Sequence, residues 1–147
     1  MSKLNCTDGE SGIYPNSLSS VLPGHIEGDT EVVMVMSLAM AKRVLDSQIR
    51  KEGDLWPTSQ LLLRRAQANP GWRLELPRLE MRPDGSLRFE DGRHRVAHFC
   101  EMGNSVIPFL TYERVAKSHP NCWGSIALAN SLYDFSACHP RPLIGSP

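Results

Sequence analysis

Asp84-Gly-Ser-Leu-Arg-Phe-Glu-Asp-Gly-Arg-His-Arg-Val-Ala-His-Phe-Cys-Glu-Met-Gly-Asn-Ser-Val-Ile-Pro108 is the stretch whose reading decides the fold. Asp84-Gly85 is a turn pair. Leu87 and Phe89 alternate with Arg88, the pattern of a half-buried strand. Asp91 stands where it can cap a helix in which Val96, Phe99, Cys100 and Gly103 share one face. Gly103-Asn104 is a stop signal for that helix, and Val106-Ile107 opens another strand. Strand, charged loop, helix and strand in this order predict a small α/β fold with a mixed sheet.

The chemistry gathers where that helix begins. Its first N–H groups have no partner within the helix, and the macrodipole adds partial positive charge. Gly92 allows close approach to the backbone, and Arg93, His94 and Arg95 are donors suited to phosphate oxygens. Gly92, Arg93, His94 and Arg95 are therefore the candidate phosphate-binding residues. The plainer alternative has Asp91 capping the helix and pairing with an arginine while both arginines point into water. Glu90 and Asp91 are the nearest acids. Either can orient an attacking water, and Asp91 can bind Mg²⁺ that bridges phosphates. Alternation along the strand turns Glu90 away from Phe89, which predicts an accessible carboxylate.

Pro77-Arg78-Leu79-Glu80-Met81-Arg82-Pro83-Asp84-Gly85, followed by Leu87-Arg88-Phe89-Glu90-Asp91-Gly92-Arg93-His94-Arg95 and Asn104-Ser105-Val106-Ile107-Pro108, resembles the ParB/sulfiredoxin superfamily. The likeness is specific over residues 77–110, about a quarter of the chain. In that superfamily the loop and helix start hold nucleotide phosphates, so the resemblance implies that role for Gly92, Arg93, His94 and Arg95. Two departures narrow it. Sulfiredoxins place their catalytic cysteine directly before the His-Arg pair, where this chain has Arg93. ParB proteins carry a Gly-Glu-Arg-Arg type box and a long helical DNA-binding portion for which this chain has no room. The pattern is thus similar to the stand-alone branches: free-serine kinases, DNA-modification proteins, and plasmid fertility-inhibition or oncogenic-suppression proteins with ATPase or nuclease activity.

Outward from the motif, 147 residues suit one domain with a real core. Sixteen basic residues balance sixteen acidic ones, so no global field draws nucleic acid, and any such contact needs a local patch. No apolar run of membrane-spanning length and no signal peptide is visible. Four scattered cysteines suit a reducing cytosol, so the expected location is cytoplasmic. Residues 1–24 read as a tail, 25–118 as the ParB/sulfiredoxin-like domain, and 119–147 as a C-terminal helix and tail packed on it.

Within the domain, residues 31–36 suit a buried central strand. Ser37 is placed to cap a helix over residues 38–49, with Ala41, Val44, Leu45 and Gln48 on one stripe. Residues 57–68 predict a second helix with Pro57 in its first turn. Residues 74–81 read as extended but interrupted by Pro77, and 113–117 as a turn of helix. The last helix is expected over residues 123–135, with His139-Pro140-Arg141-Pro142 loose after it. Two metal arrangements compete weakly. His119, Cys122, Cys138 and His139 match no standard zinc spacing. His94 and His98 lie four apart, but Arg95 would repel a cation, so His94 is read as phosphate-facing and His98 as solvent-facing.

These readings converge on a nucleoside-triphosphate hydrolase, with possible DNase action, in which Asp91, His94 and Glu90 are catalytic. Kinase activity is less favoured, because no acceptor pocket is recognisable. The alternative is a non-catalytic module from a plasmid or phage that binds nucleic acid, or a host or conjugation protein.

Overall fold

The computed structural model describes residues 3–8, 29–52, 64, 68 and 73–147. Among them the elements run β1 (Leu4–Thr7), β2 (Glu31–Ser37), α1 (Leu38–Glu52), β3 (Leu74–Glu75), β4 (Arg78–Met81) and β5 (Leu87–Asp91). There follow α2 (Arg93–Glu101), β6 (Val106–Tyr112), α3 (Glu113–Ser118), a 3-10 turn (Pro120–Cys122), α4 (Ile126–Leu132), β7 (Tyr133–Ala137) and β8 (Leu143–Ile144). The fold is mixed α/β, as expected, with one sheet in the order β5-β4-β6-β2-β8 and another in the order β3-β1-β7.

The spine is β2. Five successive apolar residues leave it no polar face, so it must be covered on both sides. It pairs antiparallel with β6 along seven registered positions, from Glu31↔Tyr112 to Ser37↔Val106. Pro108 sits inside β6 without breaking this ladder. The Leu110 N–H points the other way, to the Pro77 carbonyl at 2.9 Å. Pro108 shares that parity, so its missing N–H is lost from the sparsely paired β4 side.

Ser37 ends β2 and caps α1, its Oγ accepting the Met40 N–H at 3.4 Å. Ala41, Leu45 and Gln48 are buried along one stripe of α1, with Val44 packed at its margin. The polar member of that stripe is paired. Gln48 Nε2 donates to the Phe89 carbonyl at 2.9 Å, and Gln48 Oε1 accepts the Phe89 N–H at 2.8 Å. β5 is an outer strand, so this amide occupies the place of a neighbouring strand. Phe89 stacks on Phe109 of β6, with ring centres 5.1 Å apart. The β4–β5 hairpin turns through Gly85 at φ 89, with reciprocal bonds joining Arg82, Gly85 and Ser86. His119 Nε2 lies 2.9 Å from the Gly85 carbonyl and ties that turn to the region after α3.

Several expectations are corrected. The N-terminal tail contains β1, the middle strand of the second sheet, with Cys6 fully buried. Four residues are too few to show a period. Pro77 does not merely interrupt one strand. It marks where the chain leaves β3 in one sheet for β4 in the other. The last helix is shorter than expected, because Ser125 caps it at Leu128 N–H and residues 133–137 become β7. Tyr133 and Phe135 favour a strand, and the Tyr133 hydroxyl donates to the Val106 carbonyl at 2.6 Å. Of the helix expected over 57–68, only Arg64 and Ala68 are described, both helical and exposed; the rest lies outside the described residues.

The C-terminal end is not loose either. Asp8, buried to 2%, accepts the His139 N–H and faces His139 Nδ1, both at 2.8 Å, and accepts Arg141 Nη1 at 2.7 Å. Arg141 also bonds Glu31 Oε2 through Nη2 at 3.1 Å, and β8 then lies parallel to β2. Burial alone would push the Asp8 carboxyl up, but the bonds from Arg141 and His139 outweigh it and bring it down to about 2.

Two consequences are measurable. Gln48→Ala strands the Phe89 N–H and carbonyl, and is expected to cost about 3 kcal/mol in urea unfolding. Asp8 titrates below its ordinary 3.8, so its network contributes fully above that value and loses its contribution as pH falls toward about 2. Asp8→Asn should therefore flatten the acid limb of a stability-against-pH curve in that window.

Candidate functional site

Gly92, not Asp91, is the N-cap of α2, at φ 91 and ψ 27, and it makes no side-chain cap bond. Asp91 is instead the last residue of β5, in register with Arg78, and its side chain lies outside the described residues. The chain needs glycine here for two reasons. The left-handed conformation strains any L side chain, and a Cβ would stand 2.8–2.9 Å from three atoms of the Arg95 guanidinium. Arg95 thus folds back over the turn. It is only 12% exposed, and its Nη1 reaches Glu75 Oε2 at 2.9 Å and the Glu75 carbonyl at 3.2 Å. That guanidinium clasps α2 to β3 and so is not the solvated charge of the plainer alternative.

Arg93 and His94 occupy the same first turn and are half-buried, and no acidic residue stands in that turn. The structure therefore brings Gly92, Arg93, His94 and Arg95 into one turn at the positive end of a nine-residue helix. His98 departs from its expected solvent-facing position. It is fully buried beside Phe99, neither ring nitrogen has a hydrogen-bond partner among the described residues, and burial lowers its pKa. The apolar stripe of α2 is wider than the sequence period implied, because Ala97 and His98 join Val96 and Phe99 in the core.

Glu90 does face away from Phe89, but it is not a lone carboxylate. It lies 3.7 Å from Arg88 Nη1 and is hydrogen-bonded to Glu80. Burial, then the bond and charge of Glu90, push the Glu80 carboxyl up to about 7 against the pull of Arg88 and Arg114. Glu80 therefore holds its proton to higher pH than an ordinary glutamate, with the Glu90 carboxyl hydrogen-bonded beside it. Glu80 was missed in the sequence. The hairpin register that pairs Glu80 with Arg88 puts Glu90 on the same face two residues along, and alternation around Asp84-Gly85 carried that signal.

Among the described residues no group of three or more His, Cys, Asp or Glu side chains could hold a metal ion. His119 is engaged by the Val115 and Gly85 carbonyls, and the four cysteines are unbridged. Burial pushes the Cys100 thiol up to about 11 and Cys138 to about 12. The second polar constellation, Asp8 with His139 and Arg141, had no local signature, since Asp8 lies 131 residues from His139 and 133 from Arg141. No family model, no curated protein and no solved structure matches this chain.

Because Glu80 titrates above its ordinary 4.5, the pair's contribution is fully present below that value and is lost as pH rises through about 7. Glu80→Gln should therefore match the parent at pH 4. At pH 8 it should be more stable, on the order of 1 kcal/mol after solvent screening, in paired denaturation curves.

Proposed function

We propose that the turn at residues 91–95 binds a phosphate group of a nucleoside triphosphate and that the protein hydrolyses it. The observation that carries this reading is a helix start with a left-handed glycine as N-cap, no acid in its first turn, and three donor-bearing residues. Backbone N–H groups at such a start favour anionic oxygen, and the Arg95 guanidinium lies over Gly92, on the side where that oxygen would meet it. Glu75 fixes Arg95 against the turn, so that its guanidinium is oriented in advance. Arg93 and His94 supply further donors. Glu90, hydrogen-bonded to Glu80, is the group suited to orient a water toward the terminal phosphorus.

Mg²⁺ commonly takes one or two carboxylates together with phosphate oxygens, and in this reading Asp91, the last residue of β5, would hold it. The ion would neutralise phosphate charge. The resemblance to the ParB/sulfiredoxin superfamily favours the same reading, because strand, glycine turn, helix and strand follow in the order it implies. DNase action would use the same turn on a phosphodiester.

Titration calorimetry with ATP and Mg²⁺ on the parent and on the Arg93→Ala, His94→Ala double variant tests this. The double variant should bind at least tenfold more weakly, while its urea midpoint stays close to the parent's. Equal binding would reject the site, and parent binding no tighter for ATP than for sulfate would reject the nucleotide. Binding without phosphate release would leave a non-catalytic module.

A further inference from the structure

Two titratable side chains of α2 have buried polar atoms without hydrogen-bond partners among the described residues. His98 is fully buried, and both its ring nitrogens are of this kind. Three residues on, both carboxylate oxygens of Glu101 are too. Buried polar groups are normally hydrogen-bonded, so this imidazole gives the core only its ring surface, and only while it is neutral. An imidazolium in its place would be a lone charge with no acceptor. The titratable groups of the surrounding elements do not offset that cost. Lys42 and Asp46 of α1 act on Cys100, and Cys6 of β1 acts on Tyr133 of β7. For His98 burial alone sets the direction, lowering its pKa. The helix is short, and its buried residues are Val96, Ala97, His98 and Phe99, so His98 supplies a large share of the face that seats it.

We propose that His98 is a proton-operated latch on α2. Neutral, it keeps the inner face of the helix in the core; on taking up a proton it drives that face out and dismantles the turn at residues 91–95. The loss of phosphate binding that follows rests on the function proposed above, whereas the release of the helix does not. The sign follows from where the ring sits. The opened state takes up a proton near the ordinary 6.5 and the closed state only at lower pH. The latch is therefore fully closed above that value and opens as pH falls below it, the opening constant growing by about tenfold per pH unit. Glu101 works in the opposite sense. Burial raises its pKa, so its charge favours opening at high pH, and it is less deeply set than His98.

Cys100, half-buried on the same helix, is the reporter. The full chain is labelled with 4,4′-dithiodipyridine at pH 7 and at pH 5, and modified Cys100 is quantified by peptide mass spectrometry. Each rate is divided by that of the urea-unfolded chain at the same pH, which cancels thiol ionisation. The ratio should rise on the order of tenfold in acid for the parent. It should stay flat in His98→Leu, which keeps apolar volume and takes no proton, while Glu101→Gln and His139→Gln keep the rise. A flat ratio in the parent, or an equal rise in His98→Leu, would overturn the proposal. If His98→Leu does not keep the parent's urea midpoint at pH 7, His98→Met serves under the same criteria. ATP calorimetry on the same proteins separates the two readings. Affinity should fall more steeply from pH 7 to pH 5 in the parent than in His98→Leu, and equal falls would sever the latch from the turn. No binding by either protein at pH 7 would reject the phosphate site and leave the labelling ratio to decide the latch.

Discussion

The side-chain amide of Gln48 does for β5 what a sixth strand would do. An outer strand leaves alternate backbone donors and acceptors unpaired, and burying them bare would cost several kcal/mol. Gln48 satisfies both groups of Phe89 from a helix, which lets α1 close over the strand instead of leaving it to solvent. The strand then has one register and one height relative to α1. Gly92 and the first turn of α2 follow directly from its end. The position of the proposed phosphate turn is therefore set by an amide that lies 41 residues before Phe89 in the chain.

Arg95 shows how the same residue type can be read in two ways. In sequence it stands among donors, and a guanidinium beside a helix start is an anion ligand by default. In the fold it is committed to Glu75 and lies across Gly92. The pair spans the two sheets, because β3 belongs to one and β5 with its following turn to the other. Orienting a cation through an internal carboxylate lowers its net charge but narrows the directions in which it can donate. That trade suits recognition by geometry more than by field strength.

Much of the larger sheet was legible in the chain. Unbroken apolar residues at 32–36, the cap at Ser37, the stripe through Ala41, Leu45 and Gln48, and the Leu87/Phe89 alternation all follow from local periodicity, and the structure keeps them. The smaller sheet was not legible. β1 has four residues and β3 two, so neither shows a pattern, and the Tyr133–Ala137 segment continues a helical run without a break. In the proposed phosphate turn, residue identity was readable but partnership was not. Glu75 lies 20 residues from Arg95, and the contact exists only because the chain crosses sheets at Pro77. Glu80 beside Glu90 sits between these cases, since hairpin register implied it.

The ladder between Leu4–Thr7 and Tyr133–Ala137 has a consequence for how the molecule comes together. Its two strands are parallel and separated by nearly the whole sequence, so the earlier one is made long before its partner exists. Closing so long a loop is entropically slow and gains little until the sheet is nearly complete. The larger sheet, whose β2, β4, β5 and β6 lie within residues 31–112, can assemble first. The smaller sheet then closes as a late seam, fastened by Asp8 when Arg141 arrives. In a nascent chain, the buried face of Cys6 stays open to wrong partners until that seam shuts.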